Sequence, residues 1–244
     1  MSTLNLQRVI WTREYYGQSP GDLENKKNGF AGRFMGYHKN IRGPADKHPS
    51  TLPVMLVVGD SIIGDVCISA IRELFRGIAN INFLQQPHHC KNIKSWLDDW
   101  KVDEWSHYHT IFWFDGMHGF PERVTEAEHQ ELTPILVNRL RKNTSNILWC
   151  NCTPIPDDMP QGQTNSHSGP NSKEQRVINK SVINRNASIA KEMAELNVEL
   201  LDIYEKIKPI ATSIQRRKHD LHFSPQGELY MAQLICNRLK ELFF

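Results

Sequence analysis

Five consecutive apolar residues, Val54-Met55-Leu56-Val57-Val58, end at Gly59-Asp60-Ser61 and give way to helical apolar spacing from Ile62 to Phe75. The run reads as a buried strand, and Gly59-Asp60-Ser61 as the turn from it into a helix. That order of elements also constrains chemistry. A serine hydroxyl is a poor nucleophile in water, and it becomes useful when a fold exposes it at the carboxyl end of a buried strand. There it needs a base beside it and the first turn of a helix beneath it.

The rest of the chain repeats the alternation. Strands are expected at 54–59, at Ile81 to Gln85, at Thr110 to Phe114, at Asn146 to Cys150 and at Val198 to Asp202. Helices are expected at 62–77, Ile93 to Trp100, Glu126 to Arg141, Gln175 to Leu196, and from about Pro225 to Leu242. Strands that alternate with helices predict an α/β fold with a parallel sheet covered on both faces. Ligands then bind beyond the carboxyl ends of the strands, where Ser61, His118 and Thr153 all fall.

Two stretches stand apart. Residues 1–52 carry six glycines between Gly17 and Gly43 with little periodicity, and are expected to be an irregular extension packed on a domain of residues 53–244. Residues 157–172, rich in Pro, Gly, Gln, Asn and Ser, read as a long loop over the pocket, either disordered or in contact with substrate.

A base for Ser61 is offered near the other end, in His219-Asp220-Leu221-His222-Phe223-Ser224-Pro225. His222 can take the proton and Asp220 can orient His222. With the nucleophile first and Asp-x-His last, the chain resembles the SGNH, or GDSL-type, hydrolases from about Val54 to its end. The stretch Thr110 to Phe120 is similar to their third block, with Gly116 matched, His118 at the Asn position and Gly119 at the Asp position. A bacterial branch with Gly-Leu-His-Asp-Leu in that block is the nearest likeness. Asn151-Cys152-Thr153-Pro154-Ile155-Pro156 resembles the strand end that comes after it there.

The resemblance implies a three-layer α/β/α sandwich with a five-stranded parallel, flavodoxin-like sheet. It also implies a serine carboxylester hydrolase acting through an acyl-enzyme on Ser61, removing acetyl or another short acyl group from a carbohydrate or small molecule. His222 would be the base and Asp220 its orienting acid. Asp220 stands two residues before His222, where most of these enzymes leave three, so a Ser61–His222 dyad stays open beside the triad. The oxyanion and substrate groups implied are Asp60 and the Ser61 turn, Gly116, His118, Thr153, and the Pro87 to Asn92 loop with Asn92. The altered third block keeps a second class open: a repurposed site that binds a glycan or protein, or an O-acyltransferase.

Composition narrows the partners. Lys+Arg 29 against Asp+Glu 27 gives +2, which supplies no general drive toward nucleic acid or membranes. No run reaches the ~18 apolar residues needed to cross a bilayer, and Met1 to Ile10 lacks a secretory pattern, so a cytoplasmic location is expected. The five cysteines, Cys67, Cys90, Cys150, Cys152 and Cys236, lack zinc or disulfide spacing and read as reduced. His88, His89, His107 and His109 have no carboxylate set at ligand spacing, so neither a metal nor a cofactor is expected. Arg216-Arg217-Lys218 reads as a solvated loop, and the sequons at Asn143, Asn151 and Asn186 as chance.

Overall fold

The computed structural model describes residues 51–64, 66–85, 108–116, 125–155, 179–216 and 220–244, together with the backbone of Ile41 and Arg42. Six strands form one sheet: β1 (Ile41–Arg42), β2 (Val54–Gly59), β3 (Asn80–Gln85), β4 (Thr110–Phe114), β5 (Ile147–Cys150) and β6 (Glu199–Leu201). Their order is β1-β3-β2-β4-β5-β6. The five from β2 to β6 are parallel in the flavodoxin-like order that the resemblance implies. Only β1 runs antiparallel, with Ile41 opposite Leu84.

The longer helices are α1 (Val66–Leu74), α2 (Glu126–Leu140), α3 (Asn179–Glu195) and α6 (Pro225–Phe243). Between β6 and α6 lie α4 (Ile203–Ile207), a 3-10 turn (Lys208–Ile210) and α5 (Ala211–Ile214). Alternate residues of each strand feed opposite layers, as the strand's period of two requires. Met55 and Val57 face a cluster with Ile71 of α1 and Ile235 of α6, whereas Leu56 and Val58 face one with Val137 of α2 and Met193 of α3. Helices therefore cover both faces, and this is why β2 and β4 read as unbroken apolar runs.

The helix expected from residue 62 begins at Val66. The Asp60 carboxylate takes the Ile62 N–H at 2.8 Å and the Asp60 carbonyl takes that of Ile63 at 3.2 Å, so residues 61–64 form a turn instead. Such side-chain bonds compete with helix formation. The α1 end is also earlier than expected, because Gly77 enters the left-handed region at φ 75° and reverses the chain toward β3. The expected helix from Ile93 to Trp100, residues 1–40 and the loop at 157–172 lie outside the described residues. Among the described residues no helix is long and apolar enough to cross a membrane. Cys67, Cys150, Cys152 and Cys236 are buried and free, and burial pushes each thiol pKa up.

Candidate active site

Ser61 comes directly after β2, in the turn that Asp60 builds. Asp60 is 1 % exposed, so it frames the turn from below. Close packing fixes the same turn. A side chain at Gly59 would place its Cβ 2.8 Å from that of Ile63, so a glycine must end the strand here.

His222 arrives from the far end of the chain. A single antiparallel bridge between Gln215 and Phe223 holds its loop, with Arg216 N–H on the His222 carbonyl at 2.9 Å and Ser224 N–H on that of Ile214 at 2.7 Å. Ser224 then caps α6, its hydroxyl accepting the Gly227 N–H, and Pro225 opens the helix. The two loops bring Ser61 Oγ within 3.0 Å of His222 Nε2.

Asp220 completes the contact chain. Its Oδ1 lies 2.9 Å from His222 Nδ1 and also accepts the His222 backbone N–H at 2.9 Å. Burial alone would raise the Asp220 pKa, but these two N–H bonds and the nearby Arg216 charge bring it below the usual carboxylate range. An ionised carboxylate only accepts, so Nδ1 carries the proton and Nε2 is left as the acceptor for the Ser61 hydroxyl. The two-residue spacing between acid and histidine thus suffices for a direct contact.

The carboxyl ends of β4 and β5 lie next in the sheet to that of β2. Gly116 is buried with φ 69°, a conformation that favours glycine, and its carbonyl accepts the Cys152 thiol at 2.9 Å. Thr153 is fully buried just past β5, and its Oγ1 has no hydrogen-bond partner among the described residues. Asn186 of α3 clamps the backbone beside it, accepting the Cys152 N–H and donating to the Cys152 carbonyl, each at 3.0 Å. His118 and Asn92 lie outside the described residues. His109 stands at the start of β4, the end of the strand opposite Gly116, with its ring on Thr110 Oγ1 and Phe244.

Beside these strand ends lies a buried polar cluster that the sequence does not announce. The Asp115 carboxylate, 4 % exposed, lies 2.9 Å from His129 Nε2, 3.9 Å from Arg185 Nη1 and 3.7 Å from the Cys152 sulfur. Arg185 also reaches Glu126, and Glu192 lies 3.9 Å from His129 Nδ1. Burial would raise the Asp115 pKa, yet His129 and Arg185 bring it below the usual range. For His129 burial works downward, but the Asp115 charge and hydrogen bond outweigh it and raise the pKa. No local motif signals the cluster, because its members come from the end of β4 and from two helices.

No protein-family model matches the chain, and no curated protein matches it in sequence. Solved structures do. A lipase/acylhydrolase from Enterococcus faecalis superposes with a TM-score of 0.60 at 12 % identity, over 78 % of this chain and 96 % of that one. An acetylxylan esterase from Geobacillus stearothermophilus gives 0.56 at 11 %, over 77 % and 94 %. A member of the lipolytic G-D-S-L family from Veillonella parvula gives 0.54 at 17 %, over 78 % and 97 %. Together with the parallel sheet order, these likenesses establish that the chain has the fold of the SGNH, or GDSL-type, hydrolases.

Proposed function

We propose that this protein is a serine carboxylester hydrolase that removes acetyl or another short acyl group from a carbohydrate or small molecule. The observation that carries the reading is the continuous contact from Ser61 Oγ through the His222 ring to Asp220, at 3.0 and 2.9 Å. In the proposed mechanism Ser61 Oγ attacks the ester carbonyl while His222 Nε2 takes its proton. The tetrahedral oxyanion develops beside the Ser61 backbone N–H. Collapse breaks the ester C–O bond, His222 returns the proton to the leaving alcohol, and the acyl group stays on Ser61. Water, deprotonated by His222, then releases the carboxylic acid and restores the serine.

Asp220 acts by holding the imidazole in one tautomer and stabilising its charged form. Gly116, Thr153, and in this reading His118 and Asn92, line the acyl and oxyanion side. The preference for short acyl groups is supported by the similarity to acetylxylan esterases, which is a similarity of fold.

The test is hydrolysis of p-nitrophenyl acetate by the purified chain beside Ser61→Ala and His222→Ala, with a fluorophosphonate probe for covalent labelling. Activity and labelling lost in both variants are the expected outcome. Wild-type activity no higher than that of Ser61→Ala, with Ser61 unlabelled, would refute the proposal.

A further inference from the structure

Glu228 lies in the first turn of α6, and its side chain is only 5 % exposed. A carboxylate is buried at a cost unless hydrogen bonds replace the water it loses. Its Oε2 accepts the backbone N–H of Cys67 at 3.1 Å. Cys67 is the second residue of α1, so this bond serves one of the N–H groups that a helix start leaves without an intrahelical partner. The carboxylate also meets the end of the α1 dipole that favours negative charge. Its Oε1 faces the Arg216 guanidinium at 3.8 Å. Arg216 is the residue whose backbone N–H holds the His222 carbonyl.

One side chain of α6 therefore touches both the helix after Ser61 and the segment that pins His222. We infer that Glu228 is a positioning residue: it fixes the start of α1 against the histidine loop and so sets the approach of Ser61 Oγ to His222 Nε2. The inference rests on reading Ser61 and His222 as nucleophile and base. Packing at the neighbouring position supports a tight junction. A Cβ on Gly227 would come within 2.6 Å of the Ile214 carbonyl oxygen and 2.9 Å of the Phe223 Cβ, so α6 can sit against this loop only with a glycine there.

The reach of the side chain carries the effect more than its charge. The bond to Cys67 is buried, whereas the Arg216 side chain is 47 % exposed and its ion pair is weak for that reason. Two conservative variants of the full chain separate the terms. Glu228→Asp keeps the charge and withdraws the carboxylate by one methylene, beyond the Cys67 N–H. Glu228→Gln keeps the reach and an acceptor oxygen, and drops the charge.

Glu228→Asp is expected to lower kcat for p-nitrophenyl acetate about 10- to 100-fold, with KM within about twofold, because misplacement of reacting groups acts on the chemical step. Ser61 labelling by the fluorophosphonate slows by the same factor. Glu228→Gln stays within about threefold of wild type, as loss of a half-exposed ion pair allows. All rates are normalised to the fraction of chain that labels to completion, which removes any unfolded portion. A Glu228→Asp rate equal to wild type overturns the inference, and so does a Glu228→Gln rate below that of Glu228→Asp. A wild-type chain that neither hydrolyses nor labels above Ser61→Ala would instead overturn the serine-hydrolase reading beneath it.

Discussion

Replacing Asp220 by asparagine tests how the carboxylate holds the imidazole. In the wild-type chain one oxygen, Oδ1, accepts both the His222 backbone N–H and the ring Nδ1–H, each at 2.9 Å. Asparagine has a single acceptor oxygen, and the backbone N–H can bond only to that. The amide is therefore held with its oxygen in the Oδ1 place, where it also accepts the ring N–H and keeps Nε2 facing Ser61. What is lost is the charge. A hydrogen bond to an ionised group contributes about 1.5–3 kcal/mol and one between neutral groups about 0.5–1.5 kcal/mol. The difference, about 1–2 kcal/mol, corresponds to about a 5- to 30-fold fall in kcat/KM.

Asp220→Ala removes the acceptor as well, so the ring is free to take the wrong tautomer. That error costs about 10⁴-fold in a Ser-His-Asp site. The measurement is kcat and KM for p-nitrophenyl acetate near neutral pH for both variants beside wild type. The expected order is wild type, then Asn, then Ala far below, with the losses in kcat. An Asn variant as slow as Ala would refute the one-oxygen argument. An Ala variant within about threefold of wild type would show that His222 works with Ser61 as a dyad, since an orienting acid is worth far more than that.

Stability should also report on the ends of the fold. The Asp115 pKa is lowered, so its contribution is full above the unfolded carboxylate value of about 3.9 and is lost as pH falls through the folded value. The His129 pKa is raised, so its contribution is full below about 6.5 and is lost as pH rises through the folded value. Urea unfolding midpoints should therefore peak between those limits, and His129→Gln should flatten the alkaline arm; an unchanged alkaline arm would refute the assignment. Gly227→Ala forces a Cβ into the Ile214 carbonyl, and overpacking of this kind costs about 1–3 kcal/mol. A thermal melt should show Tm lowered by about 2–4 °C per kcal/mol, with kcat reduced because His222 sits on the displaced segment.

The sheet was legible in the sequence because its physics is local. A parallel strand covered on both faces favours apolar residues on both, so Val54 to Val58 and Ile111 to Phe114 announce themselves. The five parallel strands fall within one residue of expectation, whereas the two-residue β1 is too short to show a pattern. Helix ends were harder, because a side chain decides them. The Asp60 carboxylate and carbonyl hold Ile62 and Ile63 in a tight turn, and α1 starts only after it, at Val66. The short helices α4 and α5 escaped notice for a different reason. At five and four residues they are too brief to show a period, and tertiary contacts form them.

The same division runs through the site. Ser61 with Asp60, and His222 with Asp220, are readable as candidates because each pair lies within a few residues and leaves a compact motif. The long-range contacts in the surrounding fold are not readable, since each partner lies far off in the chain. Glu228 meets Cys67 across 161 positions and Asn186 meets Cys152 across 34. Asp115 meets His129 across 14, with no helical or strand period linking them. In the sequence Glu228 is one more acid in an amphipathic helix, and Asn186 one more sequon. Their meaning arises only when the parallel sheet places the carboxyl ends of β2, β4 and β5 side by side and folds α3 and α6 against them. Candidate residues such as Ser61 and His222 can thus be proposed from short motifs, whereas contacts such as that of Glu228 with Cys67 depend on topology, and Glu228→Asp probes the second kind of information alone.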